Sequence, residues 1–248
     1  MRTGCRSPPW PGSACPLAWT SGRRAPRRSP WPRRGRSSRC CAGGRGLPLP
    51  PPPVRAVTAD SVAVVVLAAG ASSRYGGVKL LAAPTGGEPL LRRTVRVVLE
   101  AGLGPVMVVL GAHRSGLSGL LADLTVEVAV NDAWRDGVGR SIAAGIAAVR
   151  RRHSALGGAV VVPADLLHLE GAHLRLLVDA ARRGGVPMAA TAPPDAPLQA
   201  PAYFARELFP DLEALTGDRG ARDLLRRDRS RVAAVVPSFP LEDLDTPE

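Results

Sequence analysis

The run Val62-Ala-Val-Val-Val-Leu-Ala-Ala-Gly-Ala-Ser-Ser-Arg-Tyr-Gly-Gly-Val-Lys79 passes within eighteen positions from unbroken apolar residues to small and cationic ones. Val62 to Leu67 holds no polar side chain, which predicts a strand buried on both faces. The glycine-centred turn after it lets backbone approach a bound group closely at Gly70, with loop amides free to point at phosphate oxygens. Arg74 and Lys79 then offer positive charge to a triphosphate, and Ser72 and Ser73 offer hydroxyl donors. A tight strand-to-helix turn with two solvated charges fits the same spacing. Lys79 is the only lysine in the chain, the other thirty-two basic residues being arginine. A compact ammonium differs physically from a planar guanidinium, and its placement in this loop favours the phosphate reading.

Working outward, strand and helix patterns alternate. Val106–Leu110, Val126–Val130, Ala159–Val162, Met188–Thr191 and Val232–Val236 read as further strands. Helical patterns cover Pro89–Ala101, Ser115–Asp123, Ser141–Arg151, Ala172–Arg183, Ala205–Leu215 and Ala221–Arg226. This alternation predicts an α/β fold with a mostly parallel sheet and helices on both faces. Ligands of such sheets bind outside the carboxyl ends of the strands. The turns after Leu67, Leu110, Val130 and Val162 are therefore expected to border the site.

The net charge of +12 has a local origin. Residues 1–57 contain twelve of the thirty-three basic residues and no acid, leaving 58–248 with twenty-one of each sign. The basic excess thus gives no reason to expect nucleic acid as a partner of the domain. Residues 1–57 are rich in Arg, Pro, Ser and Gly and are expected to be disordered. Two explanations stand: a basic arm, or a misassigned start in a GC-rich genome, favoured here because Arg, Pro, Gly and Ala are what GC-rich codons produce. All four cysteines lie in this segment, without zinc-ligand spacing. No stretch reaches the roughly 18 apolar residues of a membrane span, and a cytoplasmic domain over 58–248 is expected.

Four motifs, in order, resemble the MobA-like nucleotidyltransferases, and within them the molybdenum cofactor cytidylyltransferase branch. They are Leu67-Ala-Ala-Gly-Ala-Ser-Ser-Arg-Tyr-Gly-Gly-Val-Lys79, Val130-Asn-Asp-Ala-Trp-Arg-Asp-Gly-Val-Gly-Arg-Ser141, Leu215-Thr-Gly-Asp-Arg-Gly-Ala-Arg222 and Leu244-Asp-Thr-Pro-Glu248. The resemblance implies a three-layer Rossmann-like nucleotidyltransferase fold. It further implies transfer of a nucleoside monophosphate, CMP from CTP foremost, to a phosphate monoester such as molybdopterin, with magnesium and release of pyrophosphate. A molybdoenzyme or its chaperone is a conceivable partner on that reading.

By the same analogy Arg74 and Lys79 stabilise phosphate charge, while Leu67, Ala68, Ala69, Gly70, Ser72 and Ser73 form the nucleotide loop. Asn131, Gly137, Gly139 and Ser141 line the nucleoside pocket, although a simple loop with Ser141 as helix N-cap also fits. Asp165, just past the fourth strand, is the metal candidate. Magnesium prefers one or two carboxylates with phosphate oxygens and water, and either Asp218 or Asp245 is expected as the second.

The chain departs from the branch pattern twice. Ala164-Asp165-Leu166-Leu167 stands where Gly-Asp-Gln-Pro is usual, and Gln199-Ala200-Pro201 where Gly-x-Pro is common. Both fall where the acceptor is expected, which keeps other functions open: transfer to another phosphorylated acceptor, a nicotinamide-dependent oxidoreductase resembling nicotine blue oxidoreductase, or non-catalytic nucleotide binding. The Gly-x-Gly-x-x-Gly of dinucleotide sites is absent, since Ala71 and Ser72 follow Gly70.

Overall fold

The computed structural model describes residues 57–72, 75–84, 87–194, 196–218 and 220–242. Ser73, Arg74 and Asp245 lie outside the described residues, as does the Leu244–Glu248 motif.

Strand β1 (Val62–Ala68) is the centre from which the sheet is built. Its even-numbered residues enter one apolar cluster and Ala63 and Val65 the other, so it is covered on both sides. That double burial is the physical source of the unbroken apolar run. Around it lie β2 (Val106–Leu110), β3 (Glu127–Val130), β4 (Gly158–Pro163), β5 (Met188–Thr191), β6 (Gln199–Ala205) and β7 (Val232–Val235). The order across the sheet is β3-β2-β1-β4-β6-β5-β7. Only β6 runs antiparallel to its neighbours β4 and β5. The expected α/β architecture with a mostly parallel sheet is therefore present.

One face carries α1 (Leu90–Ala101), α2 (Arg114–Leu117) and α4 (Gly171–Gly184), packed on the even-numbered β1 residues through Leu90, Leu91, Val95, Leu174 and Leu177. The opposite face carries α3 (Val138–Arg152), α5 (Phe209–Glu213) and α6 (Arg222–Arg227), seated through Ile142, Ile146, Phe209, Leu212 and Leu225. Three layers result. Among the described residues no helix is long and apolar enough to cross a membrane.

Three local expectations are corrected. The helix expected over Ser115–Asp123 is a short α-helix followed by a 3-10 turn, Ser118–Leu121. The helix expected from Ala205 to Leu215 shrinks to a 3-10 turn, Arg206–Leu208, and the five-residue α5, because Ala205 closes β6. Strand β6 itself is an addition. Pro201 disguises it, since proline cannot donate to a ladder and normally argues against an interior strand. The sheet accommodates it by a register shift: Ala190 faces Ala202, but the next residue, Thr191, faces Gln199. Pro201 also lies beyond the last pair with β4, Val161 with Ala202. No ladder donor is asked of it.

Strands β1 and β4 are neighbours, and the chain leaves the carboxyl end of β1 toward β2 but that of β4 toward β5, in opposite directions. A crevice forms at such a switch point. Leu67 pairs with Pro163, and the Ala164 amide donates to Leu67 O at 3.1 Å, which sets the turn after β1 beside the turn after β4.

Candidate active site at the carboxyl ends of the strands

The crevice opens into a cavity of about 540 Å³. Its lining takes Leu67, Ala68, Ala69, Gly70 and Ser72 from the first turn, and Lys79 and Asp165 from the two sides of the switch point. Gly137, Ser141 and Asp218 complete the expected set that faces it. Around the place where a Gly70 Cβ would sit, nothing lies within 4 Å, so a ligand has unobstructed access to that backbone. Ser72 holds a left-handed φ of 53° and its carbonyl accepts from the Tyr75 amide, which closes the turn.

Lys79 opens a 3-10 turn, Lys79–Leu81, pinned by buried Leu80. Its Nζ lies 2.8 Å from Asp165 Oδ2, with side chains 12% and 29% exposed. The Asp165 turn is held from below by buried Thr94, whose Oγ1 donates to Ala164 O at 3.0 Å. An ammonium and a carboxylate are thus paired at the mouth of a glycine loop, at the carboxyl edge of the sheet.

The second motif forms the opposite wall. Helix α3 begins at Val138 behind Gly137, so Ser141 lies within its first turns and is not the N-cap. Its Oγ accepts from Asn131 Nδ2 at 3.0 Å, and Asn131 Oδ1 accepts from the Ala133 amide at 3.1 Å. Asn131 does not line the cavity; it is buried behind Ser141 and holds it. Gly139 also stands behind the lining. Its amide donates to Gly217 O at 2.9 Å, and the Gly217 amide donates to Asp136 O at 3.0 Å. These bonds dock the loop carrying Asp218 onto the start of α3. Gly137 permits the docking: its φ is +97°, and an added Cβ would fall 2.3 Å from Gly217 C.

His113, outside every quoted motif, and Trp134, inside the second, serve the same region. His113 Nε2 lies 3.0 Å from Ala71 O, and the Ala112 amide donates to Ala69 O at 3.1 Å, so the turn after β2 buttresses the nucleotide loop. Trp134 packs against the core, and the Arg135 guanidinium stacks 4.3 Å above its ring at the cavity wall. The signal for His113 was topological: the turn after Leu110 had to border the site.

A family model described as the MobA-like NTP transferase domain matches residues 64–232. The chain belongs to the MobA-like NTP transferase family. It is similar to the purine catabolism protein PucB of Bacillus subtilis (strain 168), 31% identical over 74% of this chain and 91% of that one. It is also similar to nicotine blue oxidoreductase of Paenarthrobacter nicotinovorans, 31% identical over 74% of this chain and 92% of that one. Both are members of the molybdenum cofactor cytidylyltransferase-like branch. Among solved structures, Rv0371c of Mycobacterium tuberculosis H37Rv superposes with a TM-score of 0.64 at 29% identity, covering 77% of this chain and 94% of that one. The same protein in complex with manganese gives a TM-score of 0.61 at 24% identity, covering 77% and 93%.

The MobA-like domain carries a second cavity of about 270 Å³ beside the first. Leu67, Val138, Pro163 and Asp218 border both. Leu166 and Gln199, the two departures from the branch pattern, both line it. Its wall is shaped by a buried polar chain. His173 Nε2 donates to Thr191 Oγ1 at 2.8 Å, and that hydroxyl donates to Pro201 O at 2.7 Å, fixing the irregular start of β6. The His173 ring meets Phe239 edge-on at 5.3 Å, anchoring the segment that brings Leu241 to the cavity. The Leu167 amide donates to Glu242 O at 3.2 Å and closes that strap. His168 turns to Glu242 at 3.4 Å.

His173 Nδ1 is buried without a partner among the described residues, so a second ring proton would be unsatisfied there. Burial holds its pKa below the usual value, only partly offset by the Glu170 carboxylate. The unfolded chain, with a histidine pKa of about 6.5, takes up that proton first. Unfolding free energy therefore falls as pH drops below about 6.5, until the folded imidazole itself titrates. Urea unfolding at pH 7.5 and 5.5 is expected to show a smaller loss in His173→Gln than in the parent chain. Equal losses would remove His173 from the pH dependence.

Proposed function

We propose that this MobA-like domain is a magnesium-dependent nucleotidyltransferase that moves CMP from CTP onto a small phosphate-monoester acceptor of the molybdopterin kind and releases pyrophosphate. The observation that carries this reading is the Lys79–Asp165 pair at 2.8 Å beside the open Gly70 loop in one cavity.

An acceptor phosphate oxygen forms a bond to the α-phosphorus. The bond from that phosphorus to the bridging oxygen breaks, and pyrophosphate departs with its electron pair. Such chemistry needs positioning and charge neutralisation more than covalent help. The amides around Gly70 and the Ser72 hydroxyl bind phosphate oxygens, and the Lys79 ammonium neutralises charge on the leaving pyrophosphate. Ser73 and Arg74 are assigned the same service from the sequence. Ser141 and Gly137 bound the nucleoside side, with Asn131 and Gly139 holding them in place.

Asp165 already accepts a cation, in the form of the Lys79 ammonium, and Asp218 lines the same cavity. Among the described residues no cluster of three or more His, Cys, Asp or Glu could hold a metal unaided. One or two carboxylates completed by phosphate oxygens and water is the set magnesium prefers, so this pair fits it, with Asp245 as the other candidate for second ligand. Magnesium, when bound, supplies charge neutralisation and a fixed triphosphate geometry. The manganese complex of the Rv0371c protein supports a divalent cation in this fold.

The similarity to nicotine blue oxidoreductase favours a second reading, hydride transfer from a nicotinamide. CTP labelled at the α-phosphorus separates the two. With magnesium and molybdopterin, the label is expected on the acceptor, with one unlabelled pyrophosphate per transfer. Oxidation of NADH or NADPH without label transfer would move the assignment to the oxidoreductase.

A further inference from the structure

Arg135 stands at the centre of a 3-10 turn, Trp134–Asp136, that is fixed at both ends. On one side the Ala133 amide donates to Asn131 Oδ1 at 3.1 Å, and on the other the Gly217 amide donates to Asp136 O at 3.0 Å. Trp134 is fixed in turn against the nucleotide loop. A Cβ added at Gly111 would fall 2.6 Å from Ala69 O and 2.9 Å from Trp134 Cβ, so three turns meet there with no room between them. The Arg135 guanidinium lies over the Trp134 ring and lines the larger cavity. It is exposed and has no ion pair or hydrogen bond to another described residue. Lys79, the other cation of that lining among the described residues, is paired with Asp165. Stacking on a ring sets the plane of a guanidinium and leaves its N–H groups uncommitted. Those groups are all donors, and in that plane they pair bidentately with two adjacent acceptors, as an arginine does with guanine O6 and N7.

We infer that Arg135 is a specificity-determining residue: it reads the edge of the nucleotide base and takes a base with two adjacent acceptors over one that alternates acceptor and donor. The inference rests on the transferase reading for the orientation of the nucleotide. Phosphates held by the Gly70 amides and Lys79 leave the wall made by the second motif to the nucleoside, and Arg135 is the cation of that wall. Cytosine offers O2 beside N3 to a fork of donors. Uracil places an N3 proton between its two carbonyls, so one arm of the fork would meet a donor and lose its bond to water without a replacement. Guanine satisfies the same fork through O6 and N7, whereas adenine sets an amino group beside N7 and does not. Because the turn and the ring already hold the guanidinium, little ordering is left for the base to impose.

The test is a pair of calorimetric titrations on the full chain with magnesium, one with CTP and one with UTP. The two nucleotides share charge and nearly share shape, so their ratio isolates the base edge. CTP is expected to bind about tenfold tighter, toward the low end of bidentate base readout because the guanidinium is exposed. Arg135→Gln is expected to bring the ratio close to one, and so is Arg135→Lys, which keeps the charge without the fork. Trp134→Leu, shown to be folded by its melting curve, is expected to lower the ratio with Arg135 still in place. Equal binding of CTP and UTP by the parent chain overturns the inference and leaves the transferase reading standing. A ratio that survives Arg135→Gln while both nucleotides weaken alike also overturns it, since that pattern marks a phosphate contact. Binding of neither nucleotide overturns the transferase reading and this inference with it.

Discussion

Lys79→Ala is expected to lower kcat/KM for nucleotidyl transfer by about 10²–10³-fold, the effect of deleting one preorganised charge-stabilising donor, about 2.7–4 kcal/mol. The fold is expected to survive. Lys79 sits on a short turn anchored by Leu80, not in the core. Asp165, 29% exposed, stays within reach of water when its partner is removed, so the stability change is small. Lys79→Arg is expected to recover only part of the rate, because a planar guanidinium does not occupy the place of a compact ammonium. Steady-state kinetics with a melting curve on each variant decide the matter. Full activity in a folded Lys79→Ala protein would remove Lys79 from the mechanism. Because this is the only side-chain amine, selective acylation gives a second readout, and bound CTP is expected to protect it.

Gly137→Ala is expected to cost about 2–4 kcal/mol of stability, from the strain of a side chain at positive φ and from overpacking together. The new methyl group would overlap Gly217 C at 2.3 Å and Asp218 Oδ1 at 2.6 Å. Either the left-handed turn is lost or the 215–218 loop is pushed away from α3. A displaced loop breaks the Gly139–Gly217 and Gly217–Asp136 hydrogen bonds and moves Asp218, which borders both cavities. Weaker CTP binding is therefore expected together with a melting temperature about 4–16 °C lower, at roughly 2–4 °C per kcal/mol for a domain of this size. A variant that keeps both stability and CTP affinity would show that the two loops need not touch.

The parts legible in the sequence are those where one physical demand dominates. Val62 to Val66 had to be buried on both faces, and its apolar run said so. The glycine loop and Lys79 stood out because small residues follow the buried strand and the only lysine of the chain falls among them, and the structure brings both to one cavity. Strand β6 was hidden because Pro201 breaks the local pattern, and only the register shift opposite Thr191 explains how the sheet tolerates it. Asn131 and Gly139 were expected to line the nucleoside pocket and stand one layer behind the cavity lining, since polar or glycine residues in a turn look alike whether they face a cavity or a neighbouring loop. The buried pairing of His173 with Thr191 joins residues eighteen positions apart, and no local pattern announces it.

The most direct measurement is the melting temperature of the full chain with CTP, GTP, ATP, NADH and NADPH, each with and without magnesium. A ligand that binds only the folded state raises stability by mass action, by about 2.7 kcal/mol at one hundred times its Kd. The transferase reading predicts stabilisation by CTP that depends on magnesium and is lost in Asp165→Asn. Stabilisation by NADH or NADPH alone, indifferent to magnesium, would contradict it and take the metal role from Asp165.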